Sequence, residues 1–393
     1  MAGTTSTNRV VGITGGTPAP LDFPSTPRDV TEDFYAVHPD EIPFIARLGG
    51  FSGDFTVGSR RDHEWIEEDL WKNRLTLSST TGLSSTDGTT MTLSAADAYR
   101  VAPGSTLMVD TEKMYISAIA STTTLTIVRD AFGTTAATHA TAATVYVYGV
   151  AREEGTASPF IGSPTKTVFT NYMQFMEQAY KITEQAANVT EYGRKPIDII
   201  RETIMRNLAS GAENQAINGT AFAGASAEPP TFGGALAYIT SANGSYNTDV
   251  ASAALTEANL YTAARSIMNN VGEANVARTI CVRFFLHQKI GSFFENRVRT
   301  TVGDHTGGVS IGSIDTAIGT WEIMHFYNWP DTTVGFINFD SIHLGHYAGM
   351  PAWRQKALAS DGVYDLETRY ADLCSELRNP QRHGQITSVS VSS

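Results

Sequence analysis

The chain has 393 residues, 41% of them hydrophobic and 17% charged, so it can bury substantial cores in two or three domains. A formal net charge of −12 is the opposite of the basic footprint with which proteins grip phosphates, which argues against direct nucleic-acid binding. The N-terminal MAGTTSTNRVVGITGG has no apolar run of signal-peptide length, and no stretch approaches about 18 apolar residues, which predicts neither export nor a membrane span.

Residues 1–50 hold Pro18, Pro20, Pro24, Pro27, Pro39 and Pro43 with little periodicity, which predicts an extended arm. Within it, Asp40–Gly49 offers one short helix, because Ile42, Ile45 and Leu48 are three apart. From Phe51 to Leu77, as in FTVGSRRDHEWIEEDLW, aromatic and charged residues alternate loosely, and the pattern reads as a strand or a long hairpin arm. Over residues 78–150 Ser, Thr and Ala dominate and the period becomes two. Short strands are predicted at Met91–Leu93, Ser105–Val109, Met114–Ile119, Thr124–Val128 and Thr144–Tyr148, with turns at Asp87-Gly88, Pro103-Gly104 and Phe132-Gly133. This is a small all-β module, inserted into a larger fold or placed in tandem with it.

Asn171–Val189, NYMQFMEQAYKITEQAANV, sets Tyr172, Phe175, Met176 and Ile182 at helix-compatible positions. Lys195–Gly219 then carries the longest helical signal in the chain. Pro196 suits a first helical position, Gly219 after Asn218 suits the stop, and Ile197, Ile200, Ile204, Leu208 and Ala212 share one face with Met205 beside them. Asp198, Glu202, Arg206, Glu213 and Asn214 fall mainly off that stripe. At about 1.5 Å per residue this spine is on the order of 30 Å long. After the loop AFAGASAEPPTFGGA, a second helix is predicted over Leu255–Val271, with Leu260, Ala264, Ile267, Met268 and Val271 on one face and Gly272 at its end. The nearly continuous apolar run Thr279–Leu286 predicts a central strand. A short helix near Gln288–Glu295, a glycine-rich loop over Arg297–Gly312, and strands around Trp321–His325 and Val334–Leu344 follow. A last strand, Val363–Leu366 or longer, is reached through Asp361-Gly362 and leaves a polar end without periodicity. The two cysteines, Cys281 and Cys374, sit in apolar strand-like contexts that predict buried free thiols.

Motifs that carry chemistry are few. Gly308-Val309-Ser310-Ile311-Gly312 has the spacing of a hydrolase nucleophile elbow, which needs a strand before the serine and a helix after it. Here a loop precedes Ser310, and a strand over Ser313–Ile318 follows, so a catalytic serine is not expected. His343 and His346 lack the i, i+4 spacing of a helical zinc site and would face opposite sides of a strand. There is no GxxxxGK[ST], no CxxC and no calcium loop. Asn188, Asn218 and Asn243 match glycosylation acceptors by accident of composition. Glu67, Glu68 and Asp69, and Arg152, Glu153 and Glu154, read as solvated surface or as contacts with another subunit. No catalytic, cofactor-binding or metal-ligating residue is assigned, and no cofactor is expected.

Four stretches carry a family resemblance through their order: Leu21-Asp-Phe-Pro24, Val128-Arg-Asp-Ala-Phe-Gly-Thr-Thr-Ala-Ala-Thr-His139, Asn171-Tyr-Met-Gln-Phe175 and Glu213-Asn-Gln-Ala-Ile-Asn-Gly219. Together with the succession of arm, β module, spine and α/β region, they resemble the major head proteins of tailed phages with the Hong Kong 97-type capsid fold. The likeness is to the subfamily in which a β-rich insert interrupts the extended loop. The resemblance implies an α+β protein with an N-terminal arm over 1–50 and an extended loop over 51–170 carrying an inserted β domain at about 78–150. It further implies a peripheral domain with the spine helix over 171–225, an axial domain over 226–334, and closing strands of the peripheral domain over 335–393. As function it implies a major capsid protein that self-assembles, as pentamers and hexamers, into an icosahedral head enclosing double-stranded DNA without sequence-specific binding. Portal, scaffold or decoration proteins are the further partners it suggests. The expected locations are the virion and, during assembly, the host cytoplasm. No lysine and asparagine pair stands out for subunit cross-linking, so none is carried over. Rival readings are an encapsulin-like compartment, a phage tube or decoration protein, and an α/β hydrolase with an accessory β module.

Overall fold

A computed structural model describes residues 13–14, 17–18, 42–51, 55–57, 61–68, 73–79, 83, 86–152, 154–155, 166–188, 196–272, 278–294, 312–316, 319–359 and 362–391. The rest of the expected N-terminal arm, including Leu21–Pro24, lies outside the described residues, as do Asp69, Glu153, Asp361 and most of the Arg297–Gly312 loop. The chain divides into two compact units. One holds Met176–Gly211 and Trp353–Ala371 with the described part of Met1–Ile42; the other holds Pro43–Phe175, Ala212–Ala352 and Asp372–Ser393.

In chain order, β1 (Ile13–Thr14) and β2 (Thr17–Pro18) precede the short helix α1 (Pro43–Arg47), then β3 (Phe55–Val57) and β4 (Asp62–Glu68). Six strands follow: β5 (Arg74–Ser79), β6 (Thr90–Leu93), β7 (Ser105–Val109), β8 (Glu112–Ile119), β9 (Thr124–Val128) and β10 (Thr144–Val150), with α2 (Ala95–Ala98) after β6. Next come β11 (Lys166–Tyr172), β12 (Gln174–Thr183), α3 (Glu184–Asn188), the spine α4 (Pro196–Asn218), α5 (Ala235–Tyr238), β13 (Tyr246–Asp249) and α6 (Glu257–Val271). The chain continues through β14 (Thr279–Val282), α7 (Phe284–Phe294), β15 (Ser313–Thr316), β16 (Gly319–His325), β17 (Val334–Ile337) and β18 (Ile342–Tyr347). It ends with β19 (Trp353–Ala357), β20 (Tyr364–Leu377) and β21 (Gly384–Thr387).

Strands β5 to β10 close into a barrel in the order β10-β5-β6-β9-β8-β7, because Val145 of β10 is paired with Leu75 on one side and Val109 on the other. The two-residue period predicted over this stretch is the cause. Leu107 and Val109, Met114 and Ile116, and Leu125 and Ile127 alternate inward and share a buried cluster with Leu75, Leu77, Met91 and Leu93. Each such side chain contributes about 1.5–3 kcal/mol on leaving water, and closure leaves no free strand edge.

In the same unit a six-stranded mixed sheet runs β13-β21-β17-β14-β16-β15. Helix α6 lays Leu260, Ala263, Ala264, Ile267 and Val271 on it, together with Leu286 and Ile290 of α7. Thr256 caps α6 by accepting from the Asn259 N–H at 3.3 Å, and Gly272 ends it at φ 77°. All four residues of β14 and of β17 are buried, as the apolar run predicted for a central strand. Gly335 in β17 is required by close approach, since a Cβ there would lie 2.3 Å from the Trp329 ring.

In the other unit β20 pairs with β12 and with β19, and the first two-thirds of the spine packs on this sheet. The predicted stripe does so: Ile204 and Leu208 are buried with Tyr180 and Ile182 of β12, and Ile197, Ile200, Met176 and Trp353 surround them. Arg201 donates to Glu367 at 2.7 Å and to the Tyr180 hydroxyl at 2.8 Å, while the Tyr180 hydroxyl donates to Glu367.

Several expected elements differ. Asn171–Val189 is the end of β11, then β12 and the short α3, not a helix, because Met176, Tyr180 and Ile182 also fit a period of two and β20 supplies a sheet partner. The Thr279–Leu286 run splits into β14 and the start of α7, with Phe284 turned to solvent. Val334–Leu344 breaks at Phe339–Ser341, where the Asn338 side chain accepts from the Asp340 N–H at 3.1 Å. Among the described residues, Phe51–Leu77 holds β3, β4 and the start of β5 rather than a single strand or hairpin arm. The polar end contains β21, which is inserted between β13 and β17.

Candidate functional site

Ser310 lies outside the described residues, and Gly312 leads into strand β15, not a helix. His343 and His346 lie in β18, three residues apart, so the strand alternation turns them to opposite faces as expected; the His346 ring contacts the Tyr347 carbonyl at 3.0 Å. Among the described residues no group of three or more His, Cys, Asp or Glu side chains could hold a metal ion. Asn218 and Asn243 spend their amides on backbone carbonyls of Asn328 and Tyr238, both at 2.9 Å. Cys281 and Cys374 are free and buried, and burial pushes the Cys374 thiol up to about 12. Among the described residues three sets of buried polar anchors stand out.

The first anchor joins three of the stretches singled out in the sequence. Asn171 is fully buried; it accepts from the Gly233 N–H at 2.7 Å and donates to the Ser375 carbonyl at 2.6 Å. Gln174 accepts from the Phe232 N–H at 3.3 Å, and Gln215 donates to the Phe232 carbonyl at 2.7 Å. Gly219 follows because a Cβ there would sit 2.6 Å from that same Phe232 carbonyl. The Asn171–Phe175 and Glu213–Gly219 stretches therefore both read as clamps on the Phe232–Gly233 backbone.

This clamp fixes a two-stranded ribbon, β4 and β11, paired in register from Asp62↔Tyr172 to Glu68↔Lys166. Its inner face is aromatic: Trp65 stacks on Phe169 at 5.6 Å, meets Tyr238 edge-on at 5.5 Å and lies 5.9 Å from His63. His63 contacts Glu376 at 3.1 Å, and Glu67 accepts from the Trp65 indole at 3.0 Å and the Asn379 N–H at 2.6 Å. Glu67 is therefore no simple solvated carboxylate; burial raises its pKa against those two donors. The outer face is different. Ile66 and Val168 stand directly opposite one another and are 68% and 55% exposed. The sequence reading missed this pair, whose signal is an apolar residue at the polar phase of each strand's alternation.

A second anchor holds α1, the helix at the end of the expected arm. Phe44 packs against Phe326 at 5.6 Å and Phe339 at 5.4 Å. The fully buried Glu213 sits beside it, accepting from the Ile45 N–H at 3.5 Å and the Asn328 amide at 3.4 Å. Burial outweighs these donors and raises its pKa to about 7.

The third anchor lies in the barrel, within the Val128–His139 stretch. Glu112 is fully buried, and Arg129 grips it through two nitrogens at 2.9 and 2.6 Å. The Ala137 N–H donates to it at 3.0 Å, and the His139 ring bridges Glu112 at 2.9 Å and Asp110 at 2.8 Å. Burial alone would raise this carboxyl; the Arg129, Ala137 and His139 hydrogen bonds overcome it and hold the pKa at about 2.

Comparison with known proteins assigns this arrangement. The model of the SU10 major capsid protein family matches residues 3–390. The chain belongs to the SU10 major capsid protein family. Among solved structures it is similar to the capsid of a native GTA particle, with 11% identity and a TM-score of 0.52 over 93% of this chain and 96% of that one. The capsid of Myoviridae phage XM1 matches over 92% and 96% of the two chains at 9% identity and a TM-score of 0.45. The SrpI encapsulin of Synechococcus elongatus PCC 7942 matches over 58% and 79% at 8% identity and a TM-score of 0.43. No curated protein matches. This major capsid protein is thus a shell-forming structural protein of a virion.

Proposed function

We propose that this major capsid protein assembles, through pentamers and hexamers, into an icosahedral head of the Hong Kong 97 type that encloses double-stranded DNA. In this reading residues 1–50 are the arm and 51–170 the extended loop, with the β domain at about 78–150 inserted in it. Residues 171–225 form the peripheral domain, 226–334 the axial domain and 335–393 the closing strands of the peripheral domain. The ribbon carries the reading. Its inner face is fastened by Trp65, Asn171 and Glu67, while Ile66 and Val168 on its outer face have no apolar cover of their own. Such a face is completed by another subunit, so that assembly finishes what folding leaves exposed.

The net charge of −12 per copy suits a wall that contains DNA without binding it. Copies repel one another as well, so assembly should strengthen as salt screens them. Catalysis has no part in this proposal; portal, scaffold or decoration proteins complete the head, and assembly takes place in the host cytoplasm. The test is the double variant Ile66→Asp/Val168→Asp. It should remain folded, with an unchanged melt, and form no shells; normal shells from it would remove the ribbon from the account.

A further inference from the structure

The end of α1 opens onto a cleft of about 850 Å³ whose walls all belong to one compact unit. Three arginines from separate parts of the chain line it: Arg47 at the last position of α1, Arg278 just ahead of β14, and Arg378 just past β20, with His343 of β18 beside them. Strand register gathers them. Thr279 pairs with Glu322 and with Ile337, and His343 pairs with Glu376, two residues before Arg378. Gly319 admits Arg278, because a Cβ at that position would collide with the guanidinium. Glu322 and Asp340 are the carboxylates of the wall; Arg47 holds Glu322 at 2.8 Å, while Arg378 holds Glu376 at 2.6 Å. A guanidinium has five N–H donors, so one carboxylate does not exhaust it. Leu48, Phe339 and Ile342 complete the wall with apolar surface.

The complementary charge is concentrated in one stretch. Residues 21–41 hold Asp22, Asp29, Glu32, Asp33, Asp40 and Glu41 against Arg28 alone, so these 21 residues supply −5 of the net −12, and Phe23, Phe34 and Tyr35 lie among them. The stretch lies outside the described residues and leads through Ile42 into α1. Phe44 and Ile45 are fully buried, which fastens the helix; the stretch joins its Pro43 end, whereas the cleft lies at its Arg47 end. Fully extended, Asp33 to Ile42 spans roughly 30 Å, enough to carry the acidic centre to an adjacent copy. A wall that mixes cations with two carboxylates and apolar groups suits a segment of acidic and aromatic side chains better than a row of phosphates, which favours cations alone.

We infer that the cleft lined by Arg47, Arg278, His343 and Arg378 seats the acidic stretch around Asp29–Asp33 of a second copy of this chain. The inference rests on the reading of the protein as a self-assembling shell subunit. It adds which surface receives the arm, and gives an acidic chain an attractive contact between copies.

A charge exchange tests it. Arg278→Glu/Arg378→Glu and, separately, Asp29→Lys/Glu32→Lys/Asp33→Lys should each lower the yield of shells by at least about tenfold, because like charges then meet across the contact. The triple variant changes no residue of the described fold, so it decides the matter where the cleft variant melts early. Joining all five substitutions in one chain should restore assembly. Either variant assembling like the wild type, or a five-substitution chain that melts normally yet forms no shells, would overturn the inference. A second measurement mixes two differently tagged chains, one Asp33→Cys and the other Asp340→Cys, the native thiols being buried. Oxidation of the mixed shells should link unlike chains in pairs; no such pair would overturn the contact, as would a chain carrying both substitutions that links only within itself. Retention of a double-stranded oligonucleotide by the wild type, abolished by Arg278→Glu/Arg378→Glu, would overturn it in favour of phosphate. A wild-type chain that formed no shells would fail the shell reading first, whereas normal shells from the charge-reversed chains would fail this inference alone.

Discussion

Glu213 and Glu112 are both fully buried carboxyls, and their neighbours drive them in opposite directions. Glu213 faces long hydrogen bonds from Ile45 and Asn328 beside α1, and burial outweighs its donors and raises its pKa from 4.5 to about 7. The folded protein therefore holds this proton more tightly than the unfolded chain does. Its stabilising effect is complete below about pH 4.5 and is lost as pH rises through about 7. Thermal melts at pH 5 and pH 8 should show Glu213→Gln losing less stability than the wild type over this interval; equal losses would deny Glu213 the role. For Glu112 the sign reverses: with its pKa held at about 2, its contribution is present above about 4.5 and lost as pH falls toward 2. Glu112→Gln should accordingly be destabilised near neutral pH, with the gap to wild type closing in acid. A gap independent of pH would mean that packing, not charge, is lost. Neither environment was legible in the sequence. Glu213 falls off the apolar stripe of its helix, and the approach of Ile45, 168 positions away in the chain, helps bury it.

Elements were legible where one period had no competitor. The spine from Pro196 to Asn218 ends where its proline and glycine signals place it, and Ser105–Val109 and Thr124–Val128 match their alternation residue for residue. They were illegible where Tyr, Phe and Ile suit either period, as in β12, and where the partner decides, as for the polar β21, which pairs with the buried β17. The spine's stripe gives a direct test: Leu208→Ala should cost about 2–5 kcal/mol in a denaturant titration, and no loss would place that face in solvent. The barrel gives another. Its first strand begins at Arg74, ahead of the boundary at about 78 drawn from composition. A fragment over 73–151 should fold alone with a β-type circular dichroism spectrum, whereas one starting at 78 loses most of β5, opens the barrel and should be unfolded. A fully folded fragment from 78 would show that β5 is dispensable.

At the scale of the whole molecule, family membership rests on the full length of the chain, and the physics explains why no single motif announced it. Three of the four stretches that carried the resemblance are clamps, Asn171 and Gln215 on one loop and Arg129 with His139 on Glu112, and clamps are visible only once the chain is folded. Ile66 with Val168 and the barrel's Tyr148 are exposed side chains that composition cannot separate from ordinary surface. Removing the residues before Asp40 should leave a soluble protein with a cooperative melt that no longer closes into particles. The most direct test of the central claim is electron microscopy of the purified, concentrated full-length protein at moderate salt. The account predicts closed shells of uniform diameter; a field of monomers, or of open tubes, under conditions where the protein is folded would contradict it.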